Sequence, residues 1–222
     1  MTTPDHNPCR ACDGRGRIAV PTYHDDAGSL ADRLEPGGQV FSIVDGQFSV
    51  IDLIAALADR MDAPDLSIMT WTAHREHIEH LVSIKEAGAL GDVRFLFDRT
   101  IASQRIDVVA RVVVSFGQES LRMSRLHTKI YMLRDDDWDV MVTSSANLNN
   151  NRRFEHYQIS DWPEACDYVE EVFDTTFEHH DMRYMPSAET IEKARQAVIG
   201  NPSESTSSEG VVAPGFDREF NW

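Results

Sequence analysis

His127 and Lys129 stand one residue apart, Ser145 and Asn147 stand one residue apart, and Glu155 closes the same stretch, HTKIYMLRDDDWDVMVTSSANLNNNRRFE. These side chains are of the types that attack, neutralise and position a phosphate group. Cleaving a phosphodiester requires a nucleophile, cationic and hydrogen-bonding groups for the non-bridging oxygens, and an acid for the leaving oxygen. Neutral imidazole, with an unperturbed pKa of about 6.5, is a competent nucleophile at neutral pH. Lys129 supplies a point charge, and Ser145 and Asn147 supply donors. Glu155 can hold the His127 ring in the required tautomer. Residues two apart on a strand share a face, so each pair can face one pocket.

Such groups need a sheet to hold them. Residues 40–44 read as a strand, and 49–61 as a helix with Ser49 suited to capping. Residues 65–72 are strand-like, 74–90 form an amphipathic helix, and 92–97 alternate like a strand. The stretch 103–116 reads as a helix from its length and its place between strands, although its β-branched run lowers helix propensity. Residues 119–126 and 127–133 read as one strand, or as two separated by a bend. The acidic DDDWD turn leads to strands at 138–145 and 154–160. Asp161 is placed to cap a helix with Pro163 in its first turn, and a short helix follows at 187–198. Strands alternating with helices imply an α/β fold with helices on the faces of the sheet.

Composition bounds the function. The chain has 222 residues, 41% hydrophobic and 26% charged, as in a globular domain with tails. No apolar run approaches the roughly 20 residues that span a bilayer, and MTTPDHNPCRACDGRG lacks a signal-peptide core, so a cytoplasmic setting is expected. Three cysteines form no disulfide framework. A net charge of −16 excludes a broad DNA-coating surface. The acid lies mostly at the ends, however. Between Lys85 and Glu155, eleven Lys/Arg face ten Asp/Glu, and Arg122, Arg125, Arg152 and Arg153 surround the candidate site as substrate-binding residues.

H-x-K, then S-x-N, then a glutamate, in that order, resembles the phospholipase D superfamily, whose motif is called HKD. Residues of about 40–182 are similar to one half of that fold, a mixed sheet flanked by helices. The resemblance implies metal-independent cleavage through a phosphohistidine, with two motifs meeting at one site. Large family members carry both motifs in one chain, and small bacterial endonucleases carry one and form homodimers. This chain has one. By that resemblance His127 of one subunit is the nucleophile and His127 of the other protonates the leaving oxygen. Two positions depart from the family pattern: Arg134 stands where the aspartate falls, and Ser144 replaces a glycine. The resemblance implies a nuclease without a catalytic cofactor. The alternatives are a non-catalytic nucleic-acid-binding or assembly subunit, and a phospholipid phosphodiesterase. No basic amphipathic helix supports the last.

The expected organisation is a Cys-containing appendage over 1–38, the phospholipase D-like domain over 39–185, and a short helix with a disordered acidic tail over 186–222. In the appendage, Cys9-x-x-Cys12-x-G-x-G resembles one half-repeat of the zinc-binding region of DnaJ-type chaperones. Zinc wants four ligands. His6 or His24 could help complete a structural site, against an unmetallated turn or a pair completed across a dimer. His74, His77 and His80 read as a solvated helix face, and Cys166 as core. The terminal FDREFNW could dock on its own domain or on a protein partner.

Overall fold

The structure, a computed structural model, describes residues 18–19, 26–149, 153–179 and 185–200, without the side chains of 18–19 and 197–200. His6, Cys9, Cys12, His24 and Arg152, with the terminal FDREFNW, lie outside the described residues.

Eight strands are described: β1 Ile18–Ala19, β2 Gln39–Asp45, β3 Asp65–Thr70, β4 Val93–Asp98, β5 Leu121–Ser124, β6 Ile130–Arg134, β7 Asp139–Ser144 and β8 Phe154–Asp161. They form one mixed sheet in the order β1-β2-β8-β7-β6-β3-β4-β5. Parallel pairing joins β1 to β2 and runs through β3, β4 and β5. Every other neighbouring pair is antiparallel. The helices are α1 Ala27–Ala31, α2 Val50–Ala58, α3 Arg75–Glu86, α4 Ile101–Gln104, α5 Ile106–Phe116, α6 Pro163–Glu178 and α7 Ala188–Gly200. Among the described residues, no helix is long and apolar enough to cross a membrane.

The period of two along each strand sorts the side chains into two cores. Leu66, Ile68, Phe95, Phe97, Tyr131, Leu133, Val140 and Val142 join α1, α2, α3 and α5 in the larger one. The intervening Met69, Leu96, Met132 and Met141 face the other way, onto Cys166, Val169 and Phe173 of α6. Two arginines lock α6 to that face. Arg94 of β4 pairs with Glu170 and with Asp174 at 2.9 Å, and lies over the Phe173 ring. Arg134 of β6 pairs with Asp139 and with Asp167 at 2.8 Å.

Local chemistry sets the helix ends. Ser49 accepts from the Asp52 amide while the Asp52 carboxylate accepts from the Ser49 amide at 2.8 Å, a reciprocal cap that starts α2. The β-branched stretch at 106–116 is helical, but the expected single helix breaks at Arg105, whose ψ of 56° interrupts it between α4 and α5. Gly117 ends α5 at φ +88°, a conformation that a side chain would strain.

Several expectations differ from the structure. Leu30, Ala31 and Leu34 are fully buried in the main core, so residues from Ala27 onward belong to the domain rather than to an appendage. Asp161 does not cap α6. It ends β8, and its carboxylate accepts from the Gly37 amide at 2.6 Å, while Trp162 takes the cap position without a side-chain bond. His77 is buried at 3% exposure rather than solvated, and among the described residues no group of His, Cys, Asp or Glu could hold a metal ion. Cys166 is fully buried, as expected, and burial pushes its thiol up to about 12.

Candidate active site

The strand order explains how distant residues meet. The stretch read as one strand or two is two strands that are not neighbours, since β3 and β4 lie between β5 and β6. To pass from one to the other, residues 125–129 cross the carboxyl ends of β4 and β3. Asp98, at the end of β4, accepts from the Leu126 amide at 3.1 Å and holds this crossing. Because β6 is antiparallel to β3, it begins where β3 ends, with Ile130 opposite Met69. β7 then ends beside that start, with Thr143 opposite Ile130, and β8 begins beside the end of β7, with Tyr157 opposite Ser144. One end of the sheet therefore gathers Thr70, His127, Lys129, Ser145, Asn147 and Glu155.

His127 is exposed and Lys129 is 9% exposed. The Lys129 Nζ donates to the His127 carbonyl at 2.9 Å and lies 3.4 Å from both ring nitrogens. The in-plane lone-pair directions of two imidazole nitrogens diverge, so one ammonium cannot lie on both. At equal distances it rests against the ring, as a cation on a π face does. Burial pushes the Lys129 ammonium below its ordinary value, and the Glu155 carboxylate opposes that shift.

The opposite wall is the turn leaving β7. Ser145 donates to Glu155 and accepts from the His156 amide at 3.1 Å. The Asn147 Oδ1 accepts from the Thr70 hydroxyl at 3.3 Å, which directs the amide Nδ2 elsewhere. The buried Tyr131 hydroxyl donates to the Ala146 carbonyl at 3.0 Å, between these two residues. Burial raises the Tyr131 phenol far above its ordinary value. Ser144, which stands where the family pattern has glycine, donates to the His156 carbonyl at 2.7 Å and accepts from the Ala146 amide at 2.9 Å. Its hydroxyl therefore shapes the turn.

The arginines are placed differently. Arg122 lies on the α6 side of β5, its guanidinium 4.6 Å from the Phe177 ring centre, and is not gathered with His127. Arg125 is exposed on the crossing segment, and Arg153 is exposed just before β8. Arg134 ends β6, five residues past Lys129, a strand path of about 16 Å. There, burial lowers its pKa less than the hydrogen bonds to Asp139 and Asp167 raise it. The position that departs from the family motif thus holds a packed ion pair remote from the imidazole.

Four contributors went unread in the sequence: Thr70, Trp71, Asp98 and Tyr131. Trp71 follows β3, with its ring centre 5.6 Å from that of His127. Burial would raise the Asp98 carboxyl, but hydrogen bonds from Thr100 and Leu126 hold it below its ordinary value. The Asp-x-Thr pattern at a strand end was the available signal for Asp98. Nothing local marks the other three, because their partners come from distant strands.

Phosphatidylserine synthase from Haemophilus influenzae Rd KW20 superposes with a TM-score of 0.50 at 15% identity, over 76% of this chain and 45% of that one. The fold is phospholipase D-like. Nuc, a phospholipase D family member from Salmonella typhimurium, matches with a TM-score of 0.47 at 16% identity, over 63% of this chain and 95% of that one. NucT from Helicobacter pylori matches with a TM-score of 0.42 at 13% identity, over 63% and 96%. The chain spans less than half of the synthase's length. No protein-family model and no curated protein matches the sequence.

Proposed function

We propose that this phospholipase D-like chain is a phosphodiester hydrolase acting on nucleic acid in the cytoplasm, as a homodimer with one shared site. The observation that carries this reading is the Lys129 ammonium held against the exposed His127 ring, at the sheet end that also collects Ser145 and Asn147. In the proposed first step a His127 ring nitrogen attacks phosphorus, and the bond from phosphorus to the leaving oxygen breaks. His127 of the partner subunit gives its proton to that oxygen. Water then attacks the phosphohistidine, its proton passes to His127 of the partner subunit, and the free imidazole is regenerated. Lys129 neutralises the non-bridging oxygens, and the Asn147 amide and Ser145 hydroxyl donate to them. In the resting site Glu155 engages Ser145. Its proposed part is to hold that hydroxyl's single proton until a phosphate oxygen takes it over, and to favour the protonated partner imidazole on assembly.

The test is cleavage of an oligonucleotide by the full chain, with and without EDTA. The wild type is expected to cleave in EDTA, His127→Ala is expected to lose cleavage, and acid-labile labelled phosphate should be trapped on His127. Robust turnover by His127→Ala, or loss of activity on chelation, would overturn the mechanism. A light-scattering mass of one chain for the active species would overturn the shared site.

A further inference from the structure

The crossing segment brings His127 against one large side chain with no part in the phosphate chemistry. Trp71 is 37% exposed, and its ring is tilted 49° to the imidazole. An exposed indole is ordinarily a loop feature of little consequence, but the backbone around this one is fastened on both sides. Before it, the Thr70 hydroxyl is shared between the Thr72 carbonyl at 3.1 Å and Asn147. After it, Ala73 bridges Leu148, and the His74 amide donates to the Leu148 carbonyl at 2.8 Å. Ala73 and Leu148 are themselves fully buried. The indole is thus presented at the site by the same turn that presents Asn147.

Charge explains why such a ring is useful. The chain carries a net charge of −16, so long-range attraction contributes little to holding a polyanion. Two of the arginines near the site in sequence, Arg122 and Arg134, are committed to Phe177 and to Asp139 and Asp167. A flat aromatic face attracts a nucleobase without regard to net charge, worth about 1–3 kcal/mol per base. Only one sugar separates a phosphate seated at His127 from the base of its own nucleotide.

Resting on the nucleic-acid reading above, we propose that Trp71 is a stacking platform for the base adjoining the scissile phosphate, so that the site takes an unpaired base. Inside a duplex both faces of each base are covered by neighbours, and exposing one requires fraying or flipping. Single strands are therefore the preferred substrate.

The test uses short labelled single strands that carry either a base or an abasic tetrahydrofuran unit at the central position. Affinity is read by anisotropy in a His127→Asn background so that the strands survive, and cleavage is read separately in the otherwise unmodified chain. Trp71→Ala should weaken binding of the base-containing strand about 5- to 150-fold, the equivalent of one stacked base. It should leave the abasic strand unchanged, and Trp71→Phe should restore most of the loss. Duplex of the same sequence should be cleaved more slowly than the single strand. Equal weakening of both strands by Trp71→Ala would overturn the proposal, as would a parent that binds neither strand or does not distinguish them. Base-selective binding without cleavage would refute the hydrolase and leave the platform standing. Cleavage without base selectivity would do the reverse.

Discussion

Replacing Tyr131 by Phe removes one oxygen atom and tests how the turn at 145–147 is held. The Tyr131 hydroxyl is fully buried and donates to the Ala146 carbonyl at 3.0 Å. Phenylalanine fills nearly the same volume, so no cavity cost is added. What is lost is one hydrogen bond, and a buried carbonyl is left with one partner fewer, at a cost of about 1–3 kcal/mol. In a domain of this size each kcal/mol shifts Tm by about 2–4 °C, so Tyr131→Phe should melt about 2–12 °C lower. The site should respond as well. Ala146 lies between Ser145 and Asn147, and slack there misplaces two donors, with an expected loss of about 10- to 100-fold in kcat. Calorimetry and oligonucleotide cleavage, the latter well below both transitions, separate the two effects. A variant that melts and cleaves like the wild type would refute the claim that this hydroxyl holds the turn. A lowered Tm with unchanged kcat would refute its link to the chemistry.

Three other perturbations have defined outcomes. Arg134→Met should cost about 1–2 kcal/mol in urea unfolding, since the Asp139 pair is partly buried and the exposed Asp167 adds little. Cleavage should be kept, and Arg134→Asp, which restores the family's aspartate, should destabilise further by facing Asp139 without raising kcat. Cys166 should resist maleimide in the native protein and react in guanidinium, as read by peptide mass. Its folded pKa is raised from 9.0 to about 12, so its contribution to stability is complete below pH 9 and fades as pH rises toward 12. Asp98→Asn should lower stability by about 1–3 kcal/mol at neutral pH, because the carboxylate accepts from Thr100 and Leu126. The folded carboxyl titrates below 3.8, so its contribution is present above that pH and is lost as pH falls through the lower folded value. The urea midpoints of wild type and variant should converge in acid, and a gap that persists there would count against the Asp98 account.

Most elements were legible because their signals are local. Ser49 and Asp52 are three residues apart and cap each other, and strands such as Val93–Asp98 carry their alternation in a few residues. The site was legible to the extent that its spacing is local: His127 with Lys129, and Ser145 with Asn147. The crossing of residues 125–129 over β3 and β4 was not, because it is set by the pairing of β5 and β6 with strands distant in sequence. Trp71 and Tyr131 were missed for the same reason, since their partners lie far away in sequence. Asp161 shows the opposite error. A residue with an ideal local role before Pro163 was drawn instead to the Gly37 amide, 124 positions away. The Ala27–Leu34 segment, short and irregular, enters the core through tertiary packing that no periodicity announced.

The pairing of β2 with β8, with Gln39 opposite Ser160, has a consequence for how the protein is made. β2 leaves the ribosome long before β8, and closing so large a loop delays every contact that depends on it. Glu155 lies within that final strand, beside Ser145 at the end of the one before. A chain emerging during synthesis, or one partly unravelled, therefore holds the imidazole and the lysine without the wall that faces them. Completion of the sheet and assembly of the candidate site become one late event, so an incomplete copy lacks one wall of it.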